Sequence, residues 1–315
     1  MNRSYLLLVM CLLLAIAGCS APNNVGTPSP TGVDDSTTPT QSEPDTPTVN
    51  PDNPYGSKEL HIYIDDSRTD RDLMPLVNES LNYWEANAEQ YAGYPVTYTV
   101  TNTRSTADIT LTFQNVSTCG IHSDENELLG CADIIKQGPV DTAEASVEPN
   151  LATPTASRTI RHELGHTLGL EHGDEPQNLM AERTGLDQTD PVHIYIRSDE
   201  PPAPNLVEKE ITTALDYFAE LDNAQLNYTL VDTAKEAHLL ITYDKDGERC
   251  DFDRGGSCTV DGEYTNQQDL RLENINNEVI AYHIGYMFSS VYLEEIPESL
   301  ETEDYRDREQ WPPTD

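Results

Sequence analysis

Three histidines, two glutamates and two glycines stand together in His162-Glu163-Leu164-Gly165-His166-Thr167-Leu168-Gly169-Leu170-Glu171-His172. Residues four apart share one face of a helix, so His162 and His166 can point at a single ion. Glu163, one position on, can reach a water bound to that ion. Gly169 lets the chain leave the helix without the steric penalty of a side chain. His172 can then supply a third nitrogen from the returning chain. Three imidazoles with a fourth position open describe a zinc site that does chemistry rather than one that only holds a fold. That chemistry is activation of water, with Glu163 as general base. The plainer alternative is a buried helix with satisfied histidines. Ile160, Leu164 and Leu168 supply its core stripe, but the histidines fall on another face.

Other segments must position this helix. Ala107-Asp108-Ile109-Thr110-Leu111-Thr112-Phe113 alternates like a strand. Met180, in Asn178-Leu179-Met180-Ala181, stands eight residues after His172. The histidine motif followed by this methionine resembles the metzincin zinc metallopeptidases. Leu-Gly-Leu-Glu-His before a short polar loop is most similar to their matrixin branch, as is the strand at 107–113. The resemblance covers about one domain, residues 57–189. It implies an α+β fold in which a twisted mixed sheet carries a backing helix and an active-site helix. It also implies one Zn²⁺ held by His162, His166 and His172, Glu163 as catalytic base, and Met180 as an apolar floor. The implied substrate is a polypeptide lying extended along 107–113 as an added strand.

The chain departs from the matrixin pattern in two places. Eleven residues separate Met180 from Val192, so the usual specificity wall is missing or borrowed from the residues beyond 190. The glycine-rich, calcium-binding loops are not recognisable, and residues 119–156 stand in their place. Asp124, Glu125 and Glu127 there could bind Ca²⁺, though such acids are more often merely solvated. The propeptide cysteine that blocks zinc in some relatives has no counterpart upstream of the domain except Cys19, which reads as a lipid attachment.

Past Met180 the sequence begins again. Leu60-His61-Ile62-Tyr63-Ile64 is answered by Val192-His193-Ile194-Tyr195-Ile196, and both read as strands. The helical stripe Leu73, Val77, Leu81, Trp84 is answered by Val207, Ile211, Leu215, Phe218. Ala107–Phe113 is answered by Ala237–Tyr243, and Cys119 falls opposite Cys250. Matching order, apolar pattern and cysteines argue for duplication over an unrelated α/β domain. The best register sets Tyr282, His283, Tyr286 and Tyr292 opposite His162, Glu163, His166 and His172, with Ser289 opposite Gly169. Neutral tyrosine is a poor zinc ligand, so residues 190–315 read as a degenerate metzincin-like repeat without zinc. Such a copy could add core area, bind substrate or cover the active site.

The N-terminus reads as an export signal. Met1-Asn2-Arg3 precedes an apolar stretch, Leu6 to Ala17, too short for a comfortable membrane span. Ile16-Ala17-Gly18-Cys19 resembles a lipobox, which makes 1–18 a cleaved signal and Cys19 the lipid attachment. The alternative is a plain secretory signal with an incidental cysteine. Residues 19–56, rich in Pro, Thr, Ser, Asp and Asn, cannot bury a core and read as a disordered tether. The chain is thus expected at the outer face of the cytoplasmic membrane. Of the six cysteines, Cys119, Cys131, Cys250 and Cys258 belong to the folded part. Export favours disulfides, and local spacing favours Cys119–Cys131 and Cys250–Cys258 over a metal cluster.

The balance of 18 basic to 56 acidic residues gives a net charge of −38, spread along the whole chain. A nucleic acid would be repelled. The excess resembles the surfaces of proteins from extreme halophiles and is a statement about solvent rather than mechanism. His61 and His193 occupy matching strands, where a structural role suffices; His122 fits either role. Asn78, Asn115 and Asn227 begin N-x-S/T sequons, relevant only in a glycosylating cell. The leading reading is a surface-anchored zinc endopeptidase with an inactive second copy. The competing classes are a binding lipoprotein with a vestigial zinc site and, more weakly, a peptidase inhibitor. Sequence does not specify the oligomeric state.

Overall fold

The computed structural model describes residues 53–116, 128–136, 138–182, 185–186, 189–198, 204–221, 224, 226–250, 256–293, 296–301 and 305–313, all within one unit, Thr48–Asp315. Cys19 and residues 20–52 of the expected tether, and Cys119, His122, Asp124, Glu125 and Glu127, lie outside the described residues; the tether's last four, 53–56, are described, with Asn53 buried and Tyr55 hydrogen-bonded to Thr167.

The first half runs β1 (Glu59–Asp65), α1 (Met74–Tyr91), β2 (Thr97–Thr101), β3 (Ile109–Phe113), β4 (Gly130–Ala132), β5 (Ala143–Val147), α2 (Thr153–Thr167) and the single turn α3 (Gln177–Met180). The second runs β6 (Val192–Ser198), α4 (Pro204–Glu220), β7 (Tyr228–Leu230), β8 (Leu239–Asp244), β9 (Gly256–Asp261), β10 (Gln268–Glu273) and α5 (Ile280–Tyr292). In α1, Val77, Leu81, Trp84 and Ala88 recur at helical spacing and all are buried. Pro75 sits in the first turn, where its missing N–H costs no bond. All five residues of β3 are buried, as a central strand covered on both faces requires.

Two five-stranded sheets result, ordered β2-β1-β3-β5-β4 and β7-β6-β8-β10-β9. In each, four strands are parallel and the last is an antiparallel edge. Register repeats along with order. Leu60 pairs with Tyr98 and Val192 with Tyr228; Ile62 pairs with Ile109 and Ile194 with Leu239. Cys131 on β4 faces Ser146, and Cys258 on β9 faces Arg271, the same place in each ladder. Even a side-chain clasp recurs: the His61 N–H donates to the Asp108 carboxylate at 2.6 Å, and the His193 N–H to His238 Nδ1 at 2.9 Å. Each half has its own core, around Trp84, Phe113 and Leu164 in one and Phe218, Ile241 and Ile284 in the other. Coincidence does not produce the same order, register and clasp twice, so the second sheet is a repeat of the first.

Cys250 and Cys258 form a disulfide with Cα atoms 5.8 Å apart. Cys131 is also disulfide-bonded, while its expected partner Cys119 lies outside the described residues. No helix among the described residues is long and apolar enough to cross a membrane.

One expectation is corrected. Substrate cannot add to the 107–113 strand, because β3 is flanked by β1 and β5 and its backbone groups are already paired. The free edge beside α2 is β4.

Candidate metal centre

Helix α2 packs against α1 through a close approach at Gly165. A Cβ there would stand 2.8 Å from Met180 Sδ and 2.9 Å from Trp84 Cζ2. Trp84 Nε1 donates to the Arg161 carbonyl at 2.8 Å, which fixes the helix along its axis. The helix stops through a bond from the Leu170 N–H to the Gly165 carbonyl, 3.1 Å, with Gly169 at φ +99°. This is the left-handed exit that glycine permits. The returning strand is pinned by Glu171 N–H to Asp174 Oδ2 at 2.7 Å and by Gly173 N–H to the Met180 carbonyl at 2.9 Å.

These constraints bring His162, His166 and His172 together. Their Nε2 atoms stand 3.0 Å apart (His162–His166) and 3.2 Å apart for the other two pairs. Nδ1 of His162 donates to the Leu179 carbonyl and Nδ1 of His166 to the Leu170 carbonyl, both at 2.7 Å. Each donation places the proton on Nδ1 and leaves Nε2 as a lone-pair donor. Three such donors facing one point suit a cation. Tetrahedral Zn–N bonds of about 2.0–2.1 Å would set the nitrogens roughly 3.3 Å apart, close to the separations seen. Burial lowers the His162 imidazole to about 4 and lowers His166 as well, so both are neutral near pH 7.

Glu163 is 5 % exposed. Its carboxyl lies over the edge strand at Gly130, where a Cβ would come within 2.4 Å of Oε1. Oε2 is buried with no hydrogen-bond partner. Burial pushes the group up to about 8. A buried, partnerless carboxyl is costly unless it serves a ligand. Met180 is wholly buried beneath α2 and not among the ligands, and the carbonyl of its neighbour Leu179 orients His162. Sequence reasoning does not find Gly130 or the Leu170 and Leu179 carbonyls. A glycine opening a short strand and two backbone oxygens carry no motif.

The second half builds the same place differently. Tyr282, in the position of His162, donates to the Leu300 carbonyl at 2.8 Å. His283, in the position of Glu163, meets Ser257 Oγ at 3.0 Å, and Ser257 holds the ladder position of Gly130. Trp311 covers Gly285 so closely that a Cβ would fall 2.3 Å from its ring. Tyr286 is exposed, and α5 continues through Ser289 to Tyr292, whose hydroxyl donates to the Leu186 carbonyl at 3.0 Å. Among the described residues, only His162, His166 and His172 form a cluster able to hold a metal.

Burial holds two histidines of the second half down to about 4: His283, aided by Arg308, and His238, aided by His193 and Arg158. In the unfolded chain they titrate near 6.5. The folded state therefore binds fewer protons, and the stability they contribute is full above pH 6.5 and lost as pH falls toward 4. Urea titrations of wild type should lose stability across that window. A His238→Gln/His283→Gln double variant should lose less, by on the order of 2 kcal/mol. Parallel curves for the two proteins would contradict the assignment.

A family model described as matrixin matches residues 58–200. No curated protein matches the chain. With the histidine cluster, the first sheet and α2 all inside the matched span, residues 58–200 are similar to the matrixins, and the match supports a metzincin-like metallopeptidase domain there.

Proposed function

We propose that the first half is an active zinc endopeptidase on an exported chain anchored by lipid at Cys19, and that the second half binds no zinc. The observation that carries the activity is the convergence of three Nε2 donors 3.0–3.2 Å apart, together with the buried, unpartnered carboxyl oxygen of Glu163, the residue that follows His162. Lipobox and signal support the anchoring, and the acidic surface supports a high-salt setting.

His162, His166 and His172 would hold the ion, which supplies a Lewis acid for the scissile carbonyl and lowers the pKa of bound water. The chain's own residues do the rest. The polypeptide lies extended along the free edge of β4 and is held by backbone hydrogen bonds. Glu163 Oε2, with no protein partner, accepts the proton of the attacking water and later donates it to the departing amine nitrogen. Gly130 leaves room for that carboxyl at the strand edge. The Leu170 and Leu179 carbonyls keep two imidazoles in the right tautomer throughout.

A non-catalytic or self-inhibited binding protein is the competing reading. An intact Glu163 argues against it, since a structural zinc site has no use for a base. The halves also meet near the start of α2: the Thr265 N–H donates to the Asn150 carbonyl at 2.8 Å, and Arg71 lies over the Tyr264 ring. The histidines stand at the other end of that helix. The test is metal analysis together with casein cleavage by residues 20–315 in molar salt. One zinc per chain with chelator-sensitive cleavage is expected. Two zincs would overturn the metal-free copy, and one zinc without cleavage would favour the binding protein.

A further inference from the structure

A helix leaves its last four carbonyls without helical partners. In α2 those near the exit are taken by groups from distant parts of the chain. Tyr55 Oη donates to the Thr167 carbonyl at 2.8 Å, and Tyr94 Oη to the Leu168 carbonyl at 2.9 Å. The Ile135 N–H reaches the His166 carbonyl at 3.3 Å. Tyr94 is 1 % exposed, and the segment carrying Tyr55 is fastened in turn by the Val140 N–H to the Pro54 carbonyl at 2.9 Å. Leu168 and Gly169 are the residues at which the chain turns so that His172 can come back.

The repeat supplies an internal comparison. Tyr98 and Tyr228 hold the same ladder position, which sets Ala224 opposite Tyr94. With alanine there, and Ser289 in place of the left-handed Gly169, α5 does not stop. It runs to Tyr292, five residues past Met287, the counterpart of Thr167 at which α2 ends. Where the hydroxyl cap is present the helix ends and a third histidine folds back; where it is absent the helix continues and no third ligand forms.

We propose that Tyr55 and Tyr94 are positioning residues for the metal, whose hydroxyls hold the last carbonyls of α2, end the helix at Leu168 and so bring His172 to His162 and His166. This rests on the zinc reading above, because it concerns how the third ligand reaches the ion. The last residues of the expected tether, 53–56, thereby belong to the site's machinery, although they contribute no ligand.

The experiment measures zinc affinity of residues 20–315 by chelator competition, and the visible spectrum of the cobalt-substituted protein, for wild type and Tyr55→Phe/Tyr94→Phe. The phenylalanines keep the ring packing. A loss of about 10–100-fold in zinc affinity is expected, the usual range for groups that orient a ligand without touching the metal, along with a changed cobalt spectrum. Tyr98→Phe is the control: its hydroxyl is buried with no partner, so affinity should be unchanged. The same pair of substitutions in a His172→Ala background should cost less than about twofold, because the ligand they position is gone. Equal losses in both backgrounds, or none in the first, would overturn the proposal. A wild type that binds no zinc would instead overturn the zinc reading itself.

Discussion

Glu163→Gln is expected to lower kcat by about 10²–10⁴-fold, the contribution of a positioned general base. Zinc content should stay at one per chain. The two effects separate because Glu163 is not in the metal-binding cluster: its carboxyl lies over Gly130, while the cluster consists of His162, His166 and His172. Glutamine matches glutamate in shape, so the clearance at Gly130 is kept and the buried face is undisturbed. It cannot take up the water's proton. Measuring kcat, KM and metal content on the same preparations decides the matter. Residual activity within tenfold of wild type would sink the role of Glu163, and a loss of zinc would show that the carboxyl supports the ligands rather than the reaction.

Stripping the metal is expected to destabilise the first half by about 4 kcal/mol if free zinc stands near a thousandfold above its dissociation constant. The cause is local. Without the ion, three imidazoles face one another at 3.0–3.2 Å with nothing to bind, and the turn from Gly169 to Met180 loses its tie through His172, keeping the bonds of the Leu170 and Leu179 carbonyls to α2. Hydrogen exchange should report this unevenly. Amides of residues 165–180 should lose protection, while those of β6, β8, β10 and α5 should keep theirs, because the second core is separate. His172→Ala should show the lower stability without chelator and respond little to its addition. Identical exchange before and after chelation would show that the histidines hold no structural ion.

Much of this molecule is legible in its residues because the informative patterns are local. His162, His166 and Gly169 are related by helical spacing. The duplicated strands and helices repeat short strings such as Leu60–Ile64 and Val192–Ile196. What escapes is everything that depends on neighbours far along the chain. Alternation marks 109–113 as a strand but does not reveal which strands flank it, so a central strand passes for a docking edge. The Tyr55 and Tyr94 hydroxyls meet α2 from 112 and 74 residues away. Trp311 packs on Tyr217 and on Gly285 of α5, and no periodicity points to it. The lone pairs of the Leu170 and Leu179 carbonyls are aimed at the histidines only once the turn has formed.

The exchange of Gly130 and Glu163 for Ser257 and His283 has a consequence for descent. In the first half the carboxyl occupies the space that a side chain at residue 130 would need. In the second half that space already holds Ser257, hydrogen-bonded to His283. Placing a glutamate at 283 would meet an occupied site, and removing the serine first would strand a half-buried imidazole. Trp311 and the elongated α5 add two further obstacles on the way back. The two halves are therefore separated by an epistatic barrier: no single substitution turns the arrangement around Ser257, His283 and Trp311 into the one around Gly130 and Glu163.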